Sequence, residues 1–130
     1  MKKIEISKTL QSKIRKGHPW IFKYQVQNQI TDGEQENLAV VYDHKNRFLA
    51  MGLWDPFSDL CFRALNLGKP KEINGPFFLE RLQSAMIVRE VLESQGTTGY
   101  RIINGENDKF PGLVLDRYED TLVLKLYTSS

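Results

Sequence analysis

The sequence predicts an α+β chain in two parts, a small mixed or barrel-like β domain followed by part of a second domain with one long helix and antiparallel strands. Three observations predict it. Short apolar or alternating runs, punctuated by turn residues and containing one short helical segment, fill the first 67 positions. The stretch Asn66-Leu67-Gly68-Lys69-Pro70-Lys71 then interrupts the pattern. Beyond it, a segment with helical spacing from about Pro76 to Ser94 leads into further short apolar runs.

The elements follow in order. Lys3-Ile4-Glu5-Ile6 reads as a short strand. Ser7 is a candidate helix N-cap, because its hydroxyl can accept an unpaired backbone N–H. Leu10 and Ile14 lie four apart on one face of the helix that follows, Gly17 ends it, and Pro19 forbids a regular continuation. Trp20-Ile21-Phe22 is short and apolar, with Trp20 and Phe22 expected together in the core, and Asp32-Gly33 marks a turn. Leu38 to Tyr42 reads as a buried strand, Asp43-His44-Lys45-Asn46 as a hairpin turn and Arg47 to Trp54 as the return strand. Asp55-Pro56 breaks that strand. Asp59 to Leu65 is another, with Leu60, Phe62 and Ala64 on one face and Cys61 and Arg63 on the other.

The expected division is a first domain at residues 1–67, a linker at 68–75 and a second domain at 76–130. In the long helix Phe78, Leu82, Ala85, Met86, Arg89 and Leu92 approximate one stripe, with Phe78, Met86 and Leu92 expected in the core and Arg89 the polar exception. Gly96 to Gly99 ends the helix and Tyr100 to Ile103 starts a strand. A polar loop, Asn104 to Lys109, leads to the paired strands Leu113–Asp116 and Leu122–Tyr127. Thr128-Ser129-Ser130 supplies no cap after the last strand, which reads as a truncation, and the edges so exposed make homodimerisation an expected possibility.

Composition bounds the function. Seven Phe, five Tyr and two Trp among 130 residues suffice for a core. The net charge is only +2, but residues 1–23 carry seven Lys or Arg against the single acid Glu5, and the remainder is net negative. That asymmetry can focus positive potential on one face and attract a polyanion, or be no more than a solvated surface. One cysteine, Cys61, excludes an internal disulfide and reads as a buried thiol in a reducing cytosol, so the chain is expected to be cytoplasmic. No apolar run approaches the roughly 20 residues that span a bilayer, and none follows the basic N-terminus as in a signal peptide.

The residues offer little catalytic chemistry. His18 and His44 lie in different segments, and one cysteine cannot build a zinc cluster. No glycine-rich loop has the strand–glycine–helix order that cradles phosphate. Glu106, Asp108 and Asp116 can be offered as a general acid–base set, but their spacing does not show that any two converge, and shaping a loop and ending a strand explain them better. The segment from Lys13 to Trp20 differs: Lys13, Arg15 and Lys16 can contact phosphates, His18 can hydrogen-bond or stack, and Trp20 can stack on an unpaired base. The ordinary alternative places Trp20 in the core, His18 in the turn and the cations in solvent.

Three phrases carry a family resemblance: Gly17-His18-Pro19-Trp20-Ile21-Phe22, Phe48-Leu49-Ala50-Met51-Gly52-Leu53-Trp54-Asp55-Pro56, and the long run from Tyr100 through Pro111-Gly112 to Tyr118. Their order and spacing resemble the N-terminal portion of the bacterial 23S ribosomal RNA large-subunit cytosine-5 methyltransferases, class I enzymes dependent on S-adenosylmethionine. The likeness covers essentially all 130 residues. It implies a PUA-like, RNA-binding mixed β-barrel at 1–67 and part of a small α/β domain from residue 76. It also implies a methyltransferase domain outside this chain that holds the cofactor and the cysteine nucleophile. Cys61 does not match that nucleophile. Where the family commonly has glycine before the apolar-Pro-Gly step, this chain has Lys109.

The chemistry implied for the parent is addition of a cysteine thiolate to cytosine, which makes a ring carbon nucleophilic toward the methyl donor, on a base unstacked enough to be reached. The chain alone is expected to be inactive and to need no cofactor. Its expected work is to bind and position ribosomal RNA through Lys13, Arg15, Lys16, His18 and Trp20, for its own C-terminal methyltransferase domain. The alternative is a structural docking or protein-interaction module without RNA affinity of its own.

Overall fold

The computed structural model describes residues 1–30 and 36–129, so the turn expected at Asp32-Gly33 lies outside the described residues. The chain divides into two compact units, Met1–Lys71 and Glu72–Thr128.

The first unit is a curled, mixed five-stranded sheet with one short helix. Its strands are β1 (Lys2–Ile4), β2 (Trp20–Phe22), β3 (Leu38–Tyr42), β4 (Phe48–Trp54) and β5 (Leu60–Leu67), in the order β1-β3-β4-β5-β2. Only β1 and β3 run parallel. The segments that leave the two edge strands meet, with Ile6 bridging Val26 and the Gln27 N–H donating to the Glu5 carbonyl at 2.8 Å. That contact covers backbone an open sheet would leave unpaired. Helix α1 (Lys8–Arg15) packs against β4. Its entry is fixed by Ser7, whose hydroxyl accepts the Leu10 N–H at 3.2 Å. Leu10 and Ile14 are buried as their spacing requires, together with Ile4, Ile6, Ile21, Val41, Trp54 and Phe62.

A bulge in β5, where Leu65 is the extra residue opposite Met51 and Gly52, lets the β4–β5 pair bend. Gly52 is required there, because a Cβ at that position would stand 2.1 Å from the Arg63 carbonyl oxygen. Two expectations change in this unit. Ile21, not Trp20 or Phe22, is the residue that β2 buries; its two neighbours alternate to the other face and are only half-buried. In β5 the adjacent Cys61 and Phe62 are both buried in one core, because a register shift against β2 leaves Cys61 as an extra residue between the Ile21–Phe62 and Phe22–Leu60 pairs.

In the second unit, helix α2 (Gly75–Ser94) covers the three-stranded antiparallel sheet β6 (Gly99–Asn104), β7 (Leu113–Tyr118) and β8 (Thr121–Leu126), in that order. The Asn74 side chain caps α2, accepting the Phe77 N–H at 3.0 Å, and Pro76 sits in the first turn, where its missing N–H costs nothing. Ala85, Ile102, Ile103 and Phe110 form the core, with Phe78, Leu82, Tyr100, Leu113 and Leu115 packed on it. Phe78 stacks on Phe110 with ring centroids 6.0 Å apart.

Met86 is a correction, since it is 53% exposed and not a core residue. Arg89, the polar exception on the stripe, points inward to a partner. Its two terminal nitrogens bond both oxygens of Asp108 at 3.0 and 2.7 Å. No described helix is long and apolar enough to cross a membrane.

Candidate nucleic-acid interface

The basic segment is shaped by how α1 ends. Gly17 takes a positive φ of 106°, its N–H donates to the Ile14 carbonyl at 2.9 Å, and the His18 N–H returns to the Lys13 carbonyl at 3.1 Å. This paired closure satisfies helix carbonyls and turns the chain sharply. Basic side chains in the last turn also favour the helix dipole. Lys13 and Lys16 are exposed, and among the described residues no acid pairs with either. His18 and Trp20, both half-buried, meet edge-to-face with centroids 6.4 Å apart and planes at 74°.

Arg15 is placed differently. Its terminal nitrogen lies 2.7 Å from Oδ2 of Asp43, and Nε of Arg47 reaches the same oxygen at 2.8 Å. Asp43 has no exposed side-chain surface, whereas Arg15 is 49% and Arg47 60% exposed. Oδ1 of Asp43 accepts the backbone N–H groups of Lys45 and Arg47 at 2.8 and 2.9 Å. Burial alone would raise the pKa of Asp43. The hydrogen bonds from the Arg47 backbone and guanidinium and from the Lys45 backbone outweigh it and hold the carboxyl well below the usual range.

Gln11, buried on α1, joins the same turn. Its Nε2 donates to the Ile6 carbonyl at 3.1 Å, while Oε1 accepts the His44 N–H at 3.2 Å. His44 Nδ1 lies 3.1 Å from that acceptor oxygen and so carries the hydrogen. A cleft of about 470 Å³ opens beside these residues, lined by β1, the start of α1 and Tyr42-Asp43-His44, with Lys3 Nζ 5.2 Å from the centre of the Tyr42 ring.

The sequence singles out the α1 cations, His18 and Trp20 as candidates, and does not point to Asp43, His44 and Arg47, which the fold brings to the same helix end. The only local signal was an Asp at the head of a turn; the Arg15–Asp43 contact spans 28 residues and leaves no trace in periodicity.

The loop acids are engaged elsewhere. Burial would raise the pKa of Asp108, but Arg89 and the Asn104 N–H keep it lowered, and Arg101, bonded to Asp116 at 2.8 Å, lowers that one. Carboxylates held ionised by arginines are poorly placed to give up a proton near neutrality. Cys61 is fully buried, bonds the Ile21 carbonyl at 3.4 Å, and burial pushes its thiol up to about 11. Among the described residues no three His, Cys, Asp or Glu stand together as a metal site.

A curled mixed sheet with a single capping helix is the architecture of a PUA-like domain, and the PUA-like domain family matches residues 4–66. Across nearly its whole length the chain is also similar to bacterial proteins named ribosomal RNA large subunit methyltransferase. The ribosomal RNA large subunit methyltransferase of Deinococcus radiodurans is 45% identical over 133 residues, covering 98% of this chain and 33% of that protein. The ribosomal RNA large subunit methyltransferase I of Photobacterium profundum is 36% identical over 130 residues, covering 97% and 32%. The chain therefore spans about a third of the length of the relatives it matches. A solved structure described as a candidate SAM-dependent methyltransferase from Streptococcus mutans superposes with a TM-score of 0.82 at 22% identity, covering 99% of this chain and 34% of that one. At that identity the likeness speaks for the fold.

Proposed function

We propose that this chain is the RNA-binding and substrate-positioning part of a SAM-dependent ribosomal RNA cytosine-5 methyltransferase, with a PUA-like domain at 1–67, a linker at 68–75 and part of a central α/β domain at 76–130. The observation that carries the proposal is the end of α1, where exposed Lys13 and Lys16, with no acid partner among the described residues, adjoin the His18–Trp20 ring pair. Cations there attract the phosphate backbone without reading sequence, and a half-buried aromatic pair offers a surface for an unstacked base. Arg15 contributes its outer N–H groups. The names of the relatives direct the choice of RNA toward that of the large ribosomal subunit, and such a protein works in the cytoplasm.

S-adenosylmethionine would supply the methyl group in the parent, but the residues present do not fit it. The loop between Gly105 and Gly112 is a 3-10 turn closed by Asp108, and it leads into β7, with no helix N-terminus to receive the cofactor. Cofactor and nucleophile are assigned to the parent outside these 130 residues, and this chain alone is inactive. Its contribution is to raise the effective concentration of RNA at the linked catalytic part.

Ultraviolet cross-linking of the chain to large-subunit ribosomal RNA, with adducts mapped by mass spectrometry, tests the assignment. Adducts are expected at His18 and Trp20; adducts confined to the second unit would contradict it. A second role, docking to the rest of the parent, is favoured by the bare apolar rows of the second unit, including Ile87 at 64%, Val88 at 72% and Leu126 at 64% exposure. A stable complex with the remaining two thirds of a relative, formed by a chain that does not bind RNA, would favour docking alone.

A further inference from the structure

We infer that the β3–β4 hairpin is a second phosphate-contacting element, in which Arg47 and Lys45 act beside Arg15 and the buried carboxylate of Asp43 serves as the positioning residue. The inference rests on the RNA-binding assignment and extends it to an element that the α1 segment does not include.

The charge balance at the hairpin is uneven. One oxygen, Oδ2 of Asp43, receives both the Arg15 terminal nitrogen at 2.7 Å and the Arg47 Nε at 2.8 Å. One carboxylate faces two guanidinium groups, so a positive charge is left over at a point where both arginines remain about half exposed. Each guanidinium has five N–H donors and spends few of them on Asp43. The rest are available to an outside acceptor, and the planar fork suits a phosphate.

Geometry fixes these donors before any ligand arrives. Asp43 is tied by two backbone N–H groups on its other oxygen, and the neighbouring His44 is held by Gln11 of α1 through its backbone and its ring. The hairpin tip and the end of α1 are thereby locked together. Holding a flexible arginine in place lowers the entropy lost on binding. Arg15 belongs to both groups, so Lys13 and Lys16 on α1 and Lys45 and Arg47 on the hairpin flank a shared anchor. Two arginines held on one carboxylate, with exposed lysines on either side in sequence, suit an anion that repeats along a chain, as the RNA backbone does, better than a single acidic side chain.

The test is the affinity of the chain for large-subunit ribosomal RNA across a range of salt concentrations, for the parent sequence, Arg47→Gln, Lys45→Gln and the pair Lys13→Gln/Lys16→Gln, with thermal unfolding as a check on folding. Arg47→Gln is expected to weaken binding about three- to tenfold at low salt and to reduce the slope of log affinity against log salt by about one phosphate's worth, 0.7 to 0.9. Lys45→Gln, an exposed side chain whose loss leaves the Asp43 bonds in place, is expected to reduce the slope similarly and keeps the test valid if Arg47→Gln fails to fold. If the lysine pair on α1 lowers the slope and neither hairpin variant does, the hairpin is not a contact and the α1 assignment stands. If no variant changes the slope, RNA binding through this whole face is wrong.

Discussion

Arg15 and Asp43, 28 residues apart in the chain, meet at 2.7 Å, and the carboxylate that receives the arginine is wholly buried. The contact ties the end of the short helix to the β3–β4 turn. It also makes a buried acid the support for two half-exposed cations.

A dependence of stability on pH follows. The folded pKa of Asp43 lies below its ordinary 3.8, because its hydrogen bonds outweigh the effect of burial. A depressed folded pKa contributes stability that is fully present above the unfolded value and is lost as pH falls through the folded one. The difference in unfolding free energy between the parent and Asp43→Asn should therefore be constant from pH 7 to about pH 5 and shrink steadily below about pH 4. Urea unfolding at a series of pH values measures it, and a difference that grows on acidification would contradict the assignment.

Gly52 has no room for a side chain. A Cβ would press on the Arg63 carbonyl oxygen and Ala64 Cα, both parts of the β5 backbone that cannot swing away. Gly52→Ala should destabilise the first unit by about 3 kcal/mol, read as a fall in the urea midpoint. Gly17→Ala differs in cause, because nothing lies within 4 Å of a Cβ there. Its cost, about 1 kcal/mol, comes from the left-handed backbone alone.

Lys109 occupies a left-handed position, φ 61° and ψ 31°, at the end of the 3-10 turn. The resemblance drawn from the sequence placed a glycine there, and the backbone explains that preference. Lys109→Gly should raise stability by about 0.5–1 kcal/mol, because relief of strain exceeds the added freedom of the unfolded chain. An unchanged or lower melting temperature would show that the turn tolerates the side chain without strain.

Arg89 and Asp108 form a pair only 15% and 13% exposed. Arg89→Met strands a carboxylate in low dielectric and should cost about 3 kcal/mol. Adding Asp108→Asn should restore part of that loss, since the amide oxygen still accepts the Asn104 N–H. Independent, additive losses in the double variant would mean that the two side chains are not coupled.

Much of the fold was legible in the sequence because its signals are local. Ser7, the Leu10–Ile14 spacing and Gly17 delimit α1, and the Asp43–Asn46 turn between two apolar runs gives the hairpin. What failed to show was tertiary. Trp20 and Phe22 looked like core residues by composition, but the alternation of β2 gives the inward position to Ile21. Met86 fell on an apolar stripe that the three-stranded sheet covers only in part. Of the candidate interface, the α1 cations and the two rings could be named from residue types. Arg47 and its anchor could not, since only the curling of the sheet brings the hairpin to the helix.

Nucleic-acid engagement through the end of α1 is tested most directly by the salt dependence of binding to large-subunit ribosomal RNA. With Lys13→Gln and Lys16→Gln together, the slope of log affinity against log salt should fall by about 1.4 to 1.8, two phosphate contacts' worth, while the melting temperature stays near that of the parent. An unchanged slope in a folded double variant would contradict it.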